Sequence, residues 1–195
     1  MAAANFGGAG TGDILQLFGG ITIAATDDFA AAGKGSVTGV ESITMNASTS
    51  ALSLSTHATF FADTGIATID LSGDTNATGT NVVDLSATAW GPTQAVATTG
   101  SIGNETITLG EGIDTVVGGA STGVETIIVT DRADLGSASA VTDSITLGSG
   151  NDIFQINGGV TIPATMDFTT KLSGATKVTM NASTSAMSFT PHATF

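Results

Sequence analysis

Residues 105–119 read ETITLGEGIDTVVGG, and residues 143–159 read DSITLGSGNDIFQINGG. Each holds a short run with apolar residues at alternate positions, a Gly-x-Gly bend, an aspartate and a second alternating run. Alternation with a period of two marks a strand with one buried face, and Gly, Ser, Asn and Asp close each run as turn formers. Similar words recur: TGVESITM (38–45) parallels TGVETIIV (122–129), and ATIDLSG (67–73) parallels NVVDLSA (81–87). No segment keeps an apolar pattern at helical spacing beyond one turn. A single helical turn is expected around DFAAAGKGSV (28–37), and the Gly91-Pro92 pair predicts an irregular excursion over 87–100.

A longer repeat encloses these words. DILQLFGGITIAATDDF (13–29) matches DIFQINGGVTIPATMDF (152–168) without a gap. After a four-residue deletion, ITMNASTSALSLSTHATF (43–60) matches VTMNASTSAMSFTPHATF (178–195). The chain is read as one elongated unit over 1–195, with a repeat of about 139 residues (about 13–151) and the start of a second (152–195). Many short strands with recurring turn sequences predict an all-β fold: a parallel β-solenoid, or β-roll, in which each coil gives one strand to each sheet.

Composition agrees. Among 195 residues there are 26 Gly, 9 Phe, 1 Trp and no Tyr, which suits a thin interior of Ile, Val, Leu and Ala. Lys34, Arg132, Lys171 and Lys177 face 17 acidic residues, for a net charge of −13. Such a surface repels phosphate backbones and anionic headgroups, so nucleic acid and membrane insertion are not expected, and cations are the natural partners. There is no cysteine, so stability rests on packing, backbone ladders or bound metal. MAAANFGGAG (1–10) lacks the basic and apolar regions of a signal peptide, and no apolar run reaches membrane-spanning length.

Three stretches carry candidate chemistry: LGEGIDTV (109–116), LGSGNDIF (147–154) and GAGTGDIL (8–15). Glycine lets carbonyls turn toward a common point, and aspartate adds an anionic oxygen beside them. Calcium takes roughly 6–8 oxygens, so one bend gives half a site and the stacked bend completes it. These stretches resemble the RTX nonapeptides, G-G-x-G-x-D-x-U-x, which form a calcium-binding β-roll. The resemblance implies Ca²⁺ ligands at Gly110, Gly112 and Asp114, at Gly148, Gly150 and Asp152, and at Gly10 and Asp13. Asp114 and Asp152 are 38 residues apart, about two coils of such a roll, with TDRADLG (130–136) between them. Asp131 or Asp134 is expected to bridge, while Arg132 could replace a metal there with a salt bridge. Carboxylates stacked about 4.8 Å apart repel by roughly 3 kcal/mol at an effective dielectric of about 20, which favours a divalent cation between them.

The words TGVESITM, TGVETIIV and ITLGEGIDTV also resemble repeats of bacterial surface-layer proteins that share RTX-type (type I) secretion and calcium dependence. That likeness implies an extracellular, self-assembling structural protein, a surface-layer, matrix or filament subunit at the bacterial cell surface. Its expected partners are copies of itself stacked head to tail, calcium and cell-surface polysaccharide. Other readings remain: an extender or ligand-binding segment of an RTX adhesin, an ice-binding solenoid built on TIT and ITI words, or a polysaccharide-active β-helix enzyme.

Simpler roles stand beside these. Gly-x-Gly-x-Asp can be a tight turn whose Asp caps backbone N–H groups. Asp70, Asp74 and Asp84 can point outward from strands. His57 and His192 occupy matched places far apart along a stack, which suits packing rather than a shared metal. Glu41 and Glu125 share the GVE word, but Thr176 replaces Glu41 in the later copy, which argues against a catalytic carboxylate. No Ser/His/Asp order, Cys nucleophile, HExxH or Walker motif occurs, so an enzyme is not expected.

Overall fold

The structure is a computed structural model that describes residues 6–7, 10–27, 37–46, 50–87, 94–119, 122–137, 140–181, 186 and 188–190. In chain order its main strands are β1 (Ile14–Leu17), β2 (Thr22–Ile23), β3 (Ser42–Met45), β4 (Ser53–Ser55), β5 (Thr68–Asp70), β6 (Thr80–Asp84) and β7 (Ala95–Thr99). They continue as β8 (Asn104–Thr108), β9 (Ile113–Val117), β10 (Glu125–Val129), β11 (Ser144–Thr146), β12 (Ile153–Ile156), β13 (Leu172–Ser173) and β14 (Lys177–Met180). Odd-numbered strands form one seven-stranded sheet and even-numbered strands another, each in strict chain order. All pairs within these sheets are parallel. Each coil therefore donates one strand to each sheet. The fold is a parallel β-solenoid.

The period-two pattern of the sequence becomes two rows of stacked side chains. In the second sheet Ile23, Leu54, Val83, Ile107, Ile127, Phe154 and Val178 lie in register on successive coils. In the first, Leu15, Ile43, Ile69, Thr98, Val116, Ile145 and Leu172 do the same. A narrow two-layer interior admits only one or two apolar side chains per strand, which explains why branched aliphatics serve and aromatics are scarce. Phe154 and Phe168, with ring centroids 5.9 Å apart, fill a wider place.

Coil length is not constant. The step between stacked residues is 18 residues from Ala97 to Thr115 but 31 from Thr22 to Ser53. Extra residues leave at the corners, where they make helix α1 (Phe60–Thr64) and the antiparallel pair Gly136–Ser137 with Ala140–Val141. The sequence reading did not place α1, in which Phe60 and Phe61 meet edge to face at 5.2 Å. Of the excursion expected over 87–100, residues 95–99 are the regular strand β7, and 88–93 lie outside the described residues. The helical turn expected over 28–37 lies almost wholly outside them too, and Val37 is strand.

The long repeat reproduces its own stacking. In the first copy Phe6 stacks on Val37, Ile14 on Ser42 and Thr22 on Ser53. In the second, Ile145 stacks on Leu172, Ile153 on Lys177 and Thr161 on Ser188, which are the matching residues. The copies do not occupy the same sheets. β1 belongs to the first sheet, whereas its counterpart β12 belongs to the second. The pattern has moved one face around the coil.

Candidate functional site

The aspartates of the Gly-x-Gly-x-Asp bends point inward. Asp114 precedes the inward Val116 by two residues, and Asp152 precedes the inward Phe154 by two, so strand alternation places each pair on one face. Both aspartates are buried. Buried acids stand inside the corners where strands of both sheets begin.

At the corner leading into the second sheet, Asn81, Glu105, Glu125 and Asp152 lie in line on four successive coils. All four are buried, as is the neighbouring Asp74. Asn81 Nδ2 donates to Asp74 Oδ2 at 2.8 Å and to Glu105 Oε1 at 3.3 Å, and Ser101 Oγ donates to the same Glu105 oxygen. Glu105 Oε2, both oxygens of Glu125 and Asp152 Oδ2 are buried without a hydrogen-bond partner. The carboxyl facing Glu125 is that of Asp152, which can donate only when protonated. Burial, then the adjacent Asp152, pushes the Glu125 carboxyl up to about 8, and burial raises Glu105 as well.

At the other corner, Asp114 and Asp143 lie in line on adjacent coils, with the buried Asp134 close by. Burial, and next the Asp143 charge, pushes Asp114 to about 8. Burial pushes Asp143 to about 7, against the Asp114 N–H, the Thr142 side chain and Lys171, which hold it down. Asp114 Oδ1 and Asp143 Oδ2 have no partner. Asp134 Oδ2 accepts from Thr130 N, Thr130 Oγ1 and Asp131 N at 2.7–2.9 Å, and burial still raises its carboxyl.

One local device explains why an acid or amide stands at these positions. A strand's first inward N–H lies where the parallel ladder begins, and the side chain of the stacked residue one coil later accepts it. Asp152 Oδ1 accepts Glu125 N at 3.0 Å, Asp143 Oδ1 accepts Asp114 N at 2.9 Å, and Asn81 Oδ1 accepts Leu52 N at 2.8 Å. Glu41 Oε2 does the same for Asp13 N at 2.7 Å and also takes Gly12 N. One oxygen of each aspartate in the series holds the coil beneath, and the second faces the interior.

The structure sorts the residues expected to bind calcium. Asp114 and Asp152 do not share a stack: they open strands in different sheets, and their stacked acids are Asp143 and Glu125. Asp134 does lie beside Asp114 and Asp143, whereas Asp131 is exposed and caps its own turn through Ala133 N. Gly110 N donates to Asp114 Oδ2 at 3.1 Å. Gly112 has φ +137°, a conformation that favours glycine. Gly150 packs so tightly that a Cβ there would lie 1.8 Å from the Gly123 carbonyl oxygen of the preceding coil. Gly148 sits at the closing corner of the first sheet, where a Cβ on Gly118 would meet its N at 2.7 Å. Gly10 is exposed, and Asp13 Oδ2 is buried without a partner. Arg132 Nη1 is likewise buried without a partner.

Glu105, Glu125, Asp143 and Asp74 were not among the expected ligands, yet the buried columns depend on them. The signal was available: Glu105 and Ile107, or Glu125 and Ile127, stand two apart in a strand and so share its inward face. Among the described residues no three Asp, Glu, His or Cys side chains converge closely enough to hold a metal ion by themselves. The residues present fit calcium in kind, as paired hard oxygens in a dry corner, with further oxygens needed from the main chain. No protein-family model, curated protein or solved structure matches the chain.

Proposed function

We propose that this chain is a structural, self-assembling extracellular protein, a surface-layer, matrix or filament component whose solenoid is stabilised by calcium. The observation that supports this reading most is the line Glu105–Glu125–Asp152, stacked on successive coils with four inward oxygens lacking partners. Buried carboxylates without counter-charge are costly, so they hold either protons or a cation. At neutral pH, where calcium is plentiful, a divalent ion relieves the repulsion along such a line and ties adjacent coils together. Outside the cell calcium reaches that level, and the net charge of −13 draws cations in.

A solenoid offers mechanical continuity, and a repeat that restacks on matching residues suits an extended array. The same observation favours an adhesin extender as the second reading, since an array of this unit would hold a distal domain away from the cell. Sedimentation velocity with calcium and with chelator tests the proposal. Calcium-dependent association beyond the monomer is expected. A monomer of unchanged sedimentation in both conditions would overturn it.

A further inference from the structure

The connection after β8 takes only residues 109–112, whereas the one after β10 runs from 130 to 143. Its first residues, 130–132, line a pocket of about 380 Å³ together with the turn 158–161 of the next coil. The ladder fixes the spacing of these two turns, since Asn157 N donates to the Val129 carbonyl at 2.9 Å. The longer turn is braced as well. Asp134 Oδ2 accepts from Thr130 N, Thr130 Oγ1 and Asp131 N, and Leu135 N donates to the Arg132 carbonyl at 3.1 Å. Gly158 and Gly159 bring no side chain to the pocket, so a ligand can approach the main chain there.

Arg132, the chain's single arginine, lines this pocket, and its Nη1 is buried with no hydrogen-bond partner among the described residues. A guanidinium cannot shed its proton, so burying part of it without an anion is costly. We infer that the pocket is a binding site for an acidic sugar, a uronate whose carboxylate takes the Arg132 fork. A planar guanidinium matches a carboxylate through two parallel hydrogen bonds. The rest of the pocket selects the sugar. Its volume falls among small-molecule sites, which run from about 300 to 1,000 Å³. Apart from Val160 its side chains are polar, with Thr130, Asp131 and Thr161 beside the arginine, which suits a hydroxyl-bearing ring rather than an apolar one. Asp131 is exposed, where its carboxylate can accept from sugar hydroxyls and disfavours a doubly charged phosphate. The net charge of −13 weighs against a dense polyanion, and against a second copy of the chain, which carries the same charge.

This inference goes beyond the calcium and assembly reading and needs neither, so it is tested on the whole chain with chelator present. Glucuronate is titrated into the chain and followed by amide chemical shifts. Glucose, with a hydroxymethyl in place of the carboxylate, acetate, with no ring, and inorganic phosphate are titrated beside it. Saturable one-to-one binding of glucuronate is expected, at least about tenfold tighter than any of the other three, with shifts centred on residues 130–134 and 157–161. Arg132→Gln should lower the affinity at least about tenfold and should not lower the melting temperature, because it removes a charge that lacks a partner. Arg132→Lys keeps the charge but loses the fork, and should weaken binding at least about threefold. Absence of saturable glucuronate binding, equal binding of glucose, acetate or phosphate, shifts elsewhere, or unchanged affinity in both variants would each overturn it. Self-association in chelator that Arg132→Gln abolishes would also overturn it, by giving the guanidinium to a carboxylate of another copy.

Discussion

Asp152 illustrates how one side chain carries two jobs. Its Oδ1 receives the Glu125 N–H, and its Oδ2 adds to the unpartnered oxygens of the column. The two jobs respond differently to substitution. Asp152→Ala removes the acceptor from a buried N–H and should destabilise the chain by about 1–3 kcal/mol, measured by denaturant unfolding without metal. Asp152→Asn keeps a carbonyl oxygen in place and removes a charge, so in chelator it should cost less than about 1 kcal/mol or stabilise. In calcium the same Asn variant should lose most of the metal's stabilisation. Equal losses for Ala and Asn in chelator would contradict the N–H device. The glycines divide in the same way. Gly150→Ala forces a Cβ against the Gly123 carbonyl oxygen and should cost at least about 1–3 kcal/mol, whereas among the described residues the nearest atom to a Cβ on Gly10 lies 3.9 Å away and Gly10→Ala should be nearly neutral by thermal melting.

At the scale of strands, much of the fold was legible. ETIT, IDTVV and ETIIV each lie in a strand, and alternate residues face inward: Glu105 and Ile107, Asp114 and Val116, and Glu125, Ile127 and Val129. The direction of the acids was legible by the same rule, because Asp114 and Val116 cannot point to opposite faces of one strand. What sequence could not supply was the partner of each acid. That depends on coil length, which runs from 18 to 31 residues as turns lengthen and shorten. A constant RTX-like coil puts Asp114 and Asp152 two coils apart with Asp131 or Asp134 between them, whereas the real spacing stacks Asp114 with Asp143 and Asp152 with Glu125. Helix α1 escaped notice because five residues give no periodicity to detect. The Ala97–Thr115 step is a complete coil, so removing residues 97–114 should leave strand faces in phase. That deletion should still give a cooperatively melting β protein, whereas removing residues 97–105, half as many, should abolish the cooperative transition by circular dichroism. Cooperative melting of both variants would contradict the assigned register.

The whole molecule is a ladder with repulsion built into its corners. Asp114 and Glu125 titrate near 8 and Asp143 near 7 in the folded state, against 3.8 for Asp and 4.5 for Glu in ordinary surroundings. Because the folded values are raised, the folded chain holds protons that the unfolded chain releases. Stability from these groups is full below about pH 4 and falls as pH rises toward about 8, unless a cation replaces the protons. The rising negative charge of the whole surface acts in the same direction. Calorimetric melting at about pH 5 and about pH 8, each with calcium and with chelator, tests this most directly. In chelator the melting temperature should be lower at the higher pH. Calcium should restore it there and change little at the lower pH. A melting temperature that does not fall with pH in chelator, or that calcium leaves unmoved at the higher pH, would contradict the account.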